Sequence, residues 1–145
     1  MFKHILVPTD GSQFSQDTVR RAVSFAKEAG ARITAFNAMC EVPYYRGDMK
    51  LHMPPRSETI ELEEKQAQEI LGFVENLCQE AGVPCDKLTL NKNVVYEAII
   101  EAATQSGCDL IFMASHGRRG LSALLLGSET NKVLTHTKIP VLVFR

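Results

Sequence analysis

No stretch of this 145-residue chain is long and apolar enough to cross a membrane as a helix. The longest strongly apolar runs, such as Leu110–Ala114 and Leu124–Leu126, fall far short of the roughly 20 residues required. Met1–His4 runs straight into Ile5-Leu6-Val7 and then meets Pro8, which is too short for a secretory core and lacks a small-residue cleavage site. The expected location is therefore cytoplasmic. Neither sign of charge is in excess, since 16 Lys and Arg stand against 17 Asp and Glu for a net charge of −1 and a pI near 6.4. With no basic surface to release counterions from a phosphate backbone, nucleic-acid binding is disfavoured. The four cysteines (Cys40, Cys78, Cys85 and Cys108) include no C-x-x-C pair and no histidine at metal-ligand spacing, so they read as isolated buried thiols.

Three nucleotide and hydrolase signatures are also missing. There is no G-x-x-x-x-G-K-[S/T] and no G-x-G-x-x-G after the first apolar run, so neither a P-loop nor an NAD-type crevice is expected. Nor is there a G-x-S-x-G nucleophile elbow. What remains is a chain of ordinary globular make-up, 45% hydrophobic and 23% charged, of a length that makes one domain over residues 1–145.

The hydrophobic period switches repeatedly along that domain. His4–Pro8 is a short strand-like run ending in Pro-Thr-Asp-Gly-Ser. Phe14–Ala29 carries Val19, Ala22, Val23 and Ala26 at helical spacing, with Gly30 as its C-cap. Arg32–Ala38 reads as a second strand, and Pro43–Arg56, with three prolines and Gly47, as a loop. Ser57–Ala81 is a long helix stopped by Gly82 and Pro84. Its Glu61–Glu64 run with Lys65 is a solvated face. Asp86–Leu90 alternates as a third strand, and Val94–Gln105 is helical on Tyr96, Ile99, Ile100 and Ala103. Leu110–Ala114 suits a strand buried on both faces. A helix from Ser128 to Thr135 and a strand from Pro140 to Phe144 close the chain. Strands alternating with helices predict an α/β fold: an open, doubly wound, mostly parallel five-stranded sheet with helices on both faces.

The chemistry gathers after the fourth strand, in the segment Ala114-Ser115-His116-Gly117-Arg118-Arg119-Gly120 and onward to Gly127-Ser128. Glycines between a strand and a helix let the backbone approach a ligand and aim several N–H groups at an anion. Ser128 can cap the next helix or lend its hydroxyl to a phosphate oxygen. The helix start behind it carries unpaired N–H groups and a positive dipole end, and Arg118 and Arg119 could add charge-assisted bonds. Alternatively the glycines only turn the chain. Asp10, after the first strand, has the same two readings: a ligand contact at the carboxyl end of a parallel strand, or a cap for the following helix.

The segment resembles the G-x2-G-x9-G-[S/T] pattern of the nucleotide-binding branch of the universal stress protein family. Gly117 stands as the second glycine, Arg118–Leu126 as the nine intervening residues, and Gly127-Ser128 as the close. The resemblance spans the whole chain, from Ile-Leu-Val-Pro-Thr-Asp-Gly-Ser to Ile-Pro-Val-Leu-Val-Phe. One position departs from the pattern, because Ala114 occupies the place of the first glycine. The resemblance implies a Rossmann-like fold of the adenine nucleotide α-hydrolase type, with ATP (or AMP or ADP) in the crevice and Mg²⁺ beside the phosphates. It places Asp10 near adenine and ribose and Ala38 against the adenine. The implied contact set is Pro8, Thr9, Asp10, Ala38, Met113, Ala114, His116, Gly117, Arg118, Gly127, Ser128, Glu129 and Thr130. It also implies a stress-response regulatory role and a homodimer paired through the strand 140–144.

No residue is evidently placed to activate water, so little or no hydrolysis is expected. The alternative, kept open by Ala114, is a dimeric interaction module of the same fold that binds no nucleotide. His116 could bond a phosphate or point to solvent. His4 and His136 read as structural or surface residues, and His52 as a loop residue. Tyr44, Tyr45 and Arg46 open the long loop as a lid over the adenine or as ordinary surface.

Overall fold

Ile5, Leu6 and Val7 are fully excluded from solvent, because they sit in the middle strand of the molecule. The computed structural model describes residues 1–39, 57–116 and 125–145. In chain order the elements are β1 (His4–Pro8), α1 (Gln13–Ala29), β2 (Arg32–Met39), α2 (Ser57–Ala81), β3 (Cys85–Asn91), α3 (Val95–Gln105), β4 (Leu110–Ala114), α4 (Ser128–His136) and β5 (Val141–Phe144). The five strands form one sheet in the order β3-β2-β1-β4-β5, and all four neighbouring pairs are parallel. The expected doubly wound α/β sheet is therefore present, without an antiparallel strand among the described residues.

Side-chain alternation splits the core in two. Ile5 and Val7 point to the face covered by α1 and α2, where Val19, Ala22, Val23, Leu71, Val74 and Cys78 are buried. Leu6 points to the other face, against Ala98, Ile99, Ala102 and Ala103 of α3 and Val133 of α4. A strand covered on both sides must be apolar at every position, which is why β1 and β4 read as unbroken runs. Burial of each such aliphatic side chain is worth about 1.5–3 kcal/mol.

The element boundaries differ from the sequence expectation mainly at caps. Ser12, not Asp10, caps α1, its hydroxyl accepting from the Ser15 N–H. Asp10 instead closes the turn before it, with Oδ1 accepting from the Ser12 N–H at 2.9 Å. Gly127, not Ser128, caps α4, and Ser128 falls in the first turn. β5 starts at Val141 because Pro140 has no N–H to donate, although its carbonyl still accepts from Ile111 at 2.9 Å. The thiols are not all isolated, since Cys85 packs against the same cluster that buries Cys78.

Candidate functional site

The winding order reverses between β1 and β4, and at such a switch point an open parallel sheet leaves a crevice at the carboxyl ends of its strands. Here that crevice is a cavity of about 550 Å³, within the usual size range for a small-molecule site. Pro8, Thr9 and Asp10 come to it from the end of β1 and Ala38 from β2. Met113, Ala114 and His116 come from β4 and just beyond, and Gly127, Ser128, Glu129 and Thr130 from the start of α4. Gly117 and Arg118, like Arg119, Cys40, Tyr44, Tyr45, Arg46 and His52, lie outside the described residues.

The β1 end is held by its own polar groups. The Thr9 N–H donates to the Phe36 carbonyl at 2.9 Å, and Asn37 Nδ2 donates to the Thr9 carbonyl at 2.9 Å. The Gly11 N–H reaches Thr9 Oγ1, and the Asp10 N–H faces Ser15 Oγ. Gly11 has φ of +79°, where side chains are strained, and a Cβ there would meet Ile70 Cγ1 at 2.8 Å. The turn thus packs closely on Ile70 of α2, with Asp10 among the residues that line the crevice.

The β4 end docks α4. The Gly127 N–H donates to the Ser115 carbonyl at 2.7 Å, and Thr130 Oγ1 donates to the Ala114 carbonyl at 2.9 Å. A Cβ on Gly127 would lie 2.8 Å from the Ser115 carbonyl oxygen and 3.3 Å from His116 Cα, so only glycine permits this approach. Among the described residues no side chain caps α4, and its first-turn residues line the crevice. Ala114 is an extended strand residue paired with Phe144, a conformation that alanine adopts without strain.

His116 has both ring nitrogens engaged. Nε2 donates to the Leu125 carbonyl, and Nδ1 lies 2.8 Å from Ser115 Oγ. The ring therefore ties residue 116 to residue 125 and closes the base of the glycine-bearing segment. Only the family resemblance implies Glu129 as a contact. Its Oε1 lies 3.7 Å from Lys132 Nζ, and its Oε2 is buried with no hydrogen-bond partner among the described residues.

Sequence reasoning missed Ser15, Phe36, Asn37, Val95 and Ile99, which also line the cavity. Phe36 and Asn37 precede Ala38, which the resemblance implied, on β2, and the carboxyl-end rule for parallel strands could have found them. Val95 and Ile99 reach the crevice from α3, and nothing local in the sequence signals that approach. Among the described residues, no cluster of three or more His, Cys, Asp or Glu could hold a metal ion, and no helix is long and apolar enough to cross a membrane.

This is a strand-end crevice of an open parallel α/β sheet, lined by apolar side chains of β2, α3 and β4 and by the first turn of α4. A sequence profile described as the Universal stress protein family matches residues 1–145, and the chain belongs to that family. A universal stress protein of Methanocaldococcus jannaschii is 33% identical over 146 residues, covering 100% of this chain and 83% of the relative. Among solved structures, a universal stress protein in complex with cAMP is similar with a TM-score of 0.74 at 21% identity, over 99% of this chain and 97% of that one. A family member from Arabidopsis thaliana with AMP bound has a TM-score of 0.65 at 17% identity, covering 98% and 90%.

Proposed function

We propose that this chain binds an adenine nucleotide, ATP with Mg²⁺, in the crevice between β1 and β4, and serves as a cytoplasmic stress-response regulator with little or no hydrolysis. The observation that carries the reading is the seat of α4. Gly127 rests so closely on the Ser115 carbonyl that no Cβ fits, and the first turn of α4, which no side chain caps among the described residues, is left at the cavity, where phosphate oxygens would satisfy its N–H groups. The adenine would lie over Phe36, Ala38, Val95, Ile99 and Met113, the apolar part of the lining. The cAMP and AMP complexes of structural neighbours support an adenylate as the occupant.

Two carboxylates, Asp10 and Glu129, line the same cavity, and no Lys or Arg does among the described residues. A polyphosphate there meets acidic neighbours, so a divalent cation bound to the phosphates would offset the repulsion. His116 is engaged through both nitrogens, which leaves it without the free acceptor a general base needs. Calorimetric titration with Mg-ATP should give micromolar affinity, about −8 kcal/mol, and omission of Mg²⁺ should weaken it. AMP, with fewer phosphate charges, should depend less on the cation. Lack of saturation by any adenylate up to millimolar concentration would overturn the reading and leave the interaction module.

A further inference from the structure

Cys78 and Cys85 stand at the two ends of the α2–β3 connection, whose main chain is pinned. Gly82 turns with φ of +74°, the Val83 N–H donates to the Cys78 carbonyl at 2.8 Å, and the Ile33 N–H donates to the Pro84 carbonyl at 2.9 Å. Cys78 projects from the end of α2 into the core and is fully buried. Cys85 begins β3 on the face that packs on α2, beside Lys87, which pairs with Glu75 of that helix. It is half-exposed, with Sγ 3.6 Å from the Asp86 carbonyl oxygen.

Both side chains therefore face the same cluster, between the last turns of α2 and the start of β3. The neighbouring Cys85 thiol, with burial added, holds the Cys78 thiol far above its ordinary range. The Cys78 thiol in turn lowers Cys85, helped by the Ala35 backbone and opposed by burial and by the charges of Glu75 and Asp86. The accessible sulfur is thus the one favoured as thiolate, and the sealed sulfur is the one that keeps its proton. Cys108 offers a contrast: it is buried on the other face, and burial pushes it up to about 11.

We propose that Cys78 and Cys85 form a dithiol that hydroperoxides oxidise to an intramolecular disulfide, with Cys85 as the attacking sulfur and Cys78 as the resolving one. The Cys85 thiolate attacks one peroxide oxygen, the O–O bond breaks, and the leaving oxygen takes a proton and departs as water or an alcohol. Cys85 is then a sulfenic acid. The Cys78 sulfur displaces its hydroxyl, the S–S bond forms, and the Cys78 proton leaves with that hydroxyl as water. The two thiols lose two electrons and the peroxide gains them. The pair sits at the amino end of β3, whereas the crevice lies at the carboxyl ends of the strands, so this site is separate from the proposed nucleotide site.

The test uses the full, reduced chain treated with hydrogen peroxide, alkylated, and cleaved after glutamate. Glu80 lies between the two cysteines, so they separate into fragments 76–80 and 81–97. The expected product is these fragments joined, lighter than their sum by two hydrogens and parted by dithiothreitol. Cys78→Ser should stop at a Cys85 sulfenic acid that dimedone traps, and Cys85→Ser should leave Cys78 a free thiol. The wild-type map decides alone, so a variant that failed to fold would not disable the test. Recovery of both cysteines alkylated in wild-type protein after peroxide, or a bond from either of them to Cys40 or Cys108 instead, would overturn the proposal.

Discussion

His4, at the start of β1, is held by an Nε2 contact of 2.7 Å with Thr34 Oγ1. Burial, then the Arg32 guanidinium, lower its pKa, while Asp86 and Asp109 act more weakly the other way. An unfolded histidine titrates near 6.5. Between the folded value and 6.5 the unfolded chain binds a proton that the folded chain does not, so stability rises with pH there. The contribution of neutral His4 is fully present above 6.5 and is lost as pH falls below it. Asp109 does not confuse that window. Burial pushes its carboxyl up, but N–H bonds from Lys3, His4 and its own backbone outweigh this and leave it lowered, hence ionised throughout. Thermal unfolding midpoints from pH 7.5 to 5 should therefore fall more steeply for the wild type than for His4→Gln, which keeps a polar partner for Thr34. Parallel curves would show that His4 carries none of the pH dependence.

Among the elements, α4 is the one whose position decides the site, and its seat on β4 is main chain against main chain. Gly127→Ala would force a methyl to within 2.8 Å of the Ser115 carbonyl oxygen, which no rotamer can relieve, so α4 must lift away from β4. Overpacking of this kind costs about 1–3 kcal/mol. The urea midpoint should drop accordingly, and Mg-ATP affinity should drop with it because the first-turn N–H groups move together. Retention of wild-type affinity in a folded Gly127→Ala protein would place the nucleotide elsewhere. Part of the crevice was legible in the sequence, since Asp10 follows a strand of clear period and Gly127-Ser128 opens a helix, whereas only the family resemblance implies Ala38, Glu129 and Thr130. The α3 contribution was not legible, because Val95 and Ile99 show only an amphipathic stripe, and which crevice that stripe meets depends on the sheet order. The nearness of Cys78 and Cys85 was hidden for a similar reason. Seven positions apart, they share a cluster only because Gly82 turns the chain so that an α2 side chain and a β3 side chain both face it. Ser12 rather than Asp10 as cap was a choice between two good capping residues that local sequence leaves open.

At the scale of the whole molecule, the sheet has two edges and they are finished differently. β3 carries Asp86 and Lys87, both exposed, with Arg32 paired to Asp86 beside it, and edge charges discourage further pairing. β5 is Val141-Leu142-Val143-Phe144, half-buried at every position and without a charge. Its ladder to β4 uses the carbonyls of Pro140 and Phe144, which accept from Ile111 and Ser115. Alternation along a parallel strand then turns the main-chain groups of Val141 and Val143 outward. A flat apolar edge of this kind is a template for a second copy, and two-fold pairing closes it with one symmetric contact. In solution the chain should therefore scatter light as a particle of about twice its 16.1 kDa mass. Val143→Pro removes an outward N–H without touching the bonds to β4, a substitution that edge strands tolerate. It should yield a monomer that still unfolds cooperatively and still takes up nucleotide, separating assembly from binding. A wild-type particle of monomer mass at micromolar concentration would show that β5 does not pair, whatever the nucleotide result.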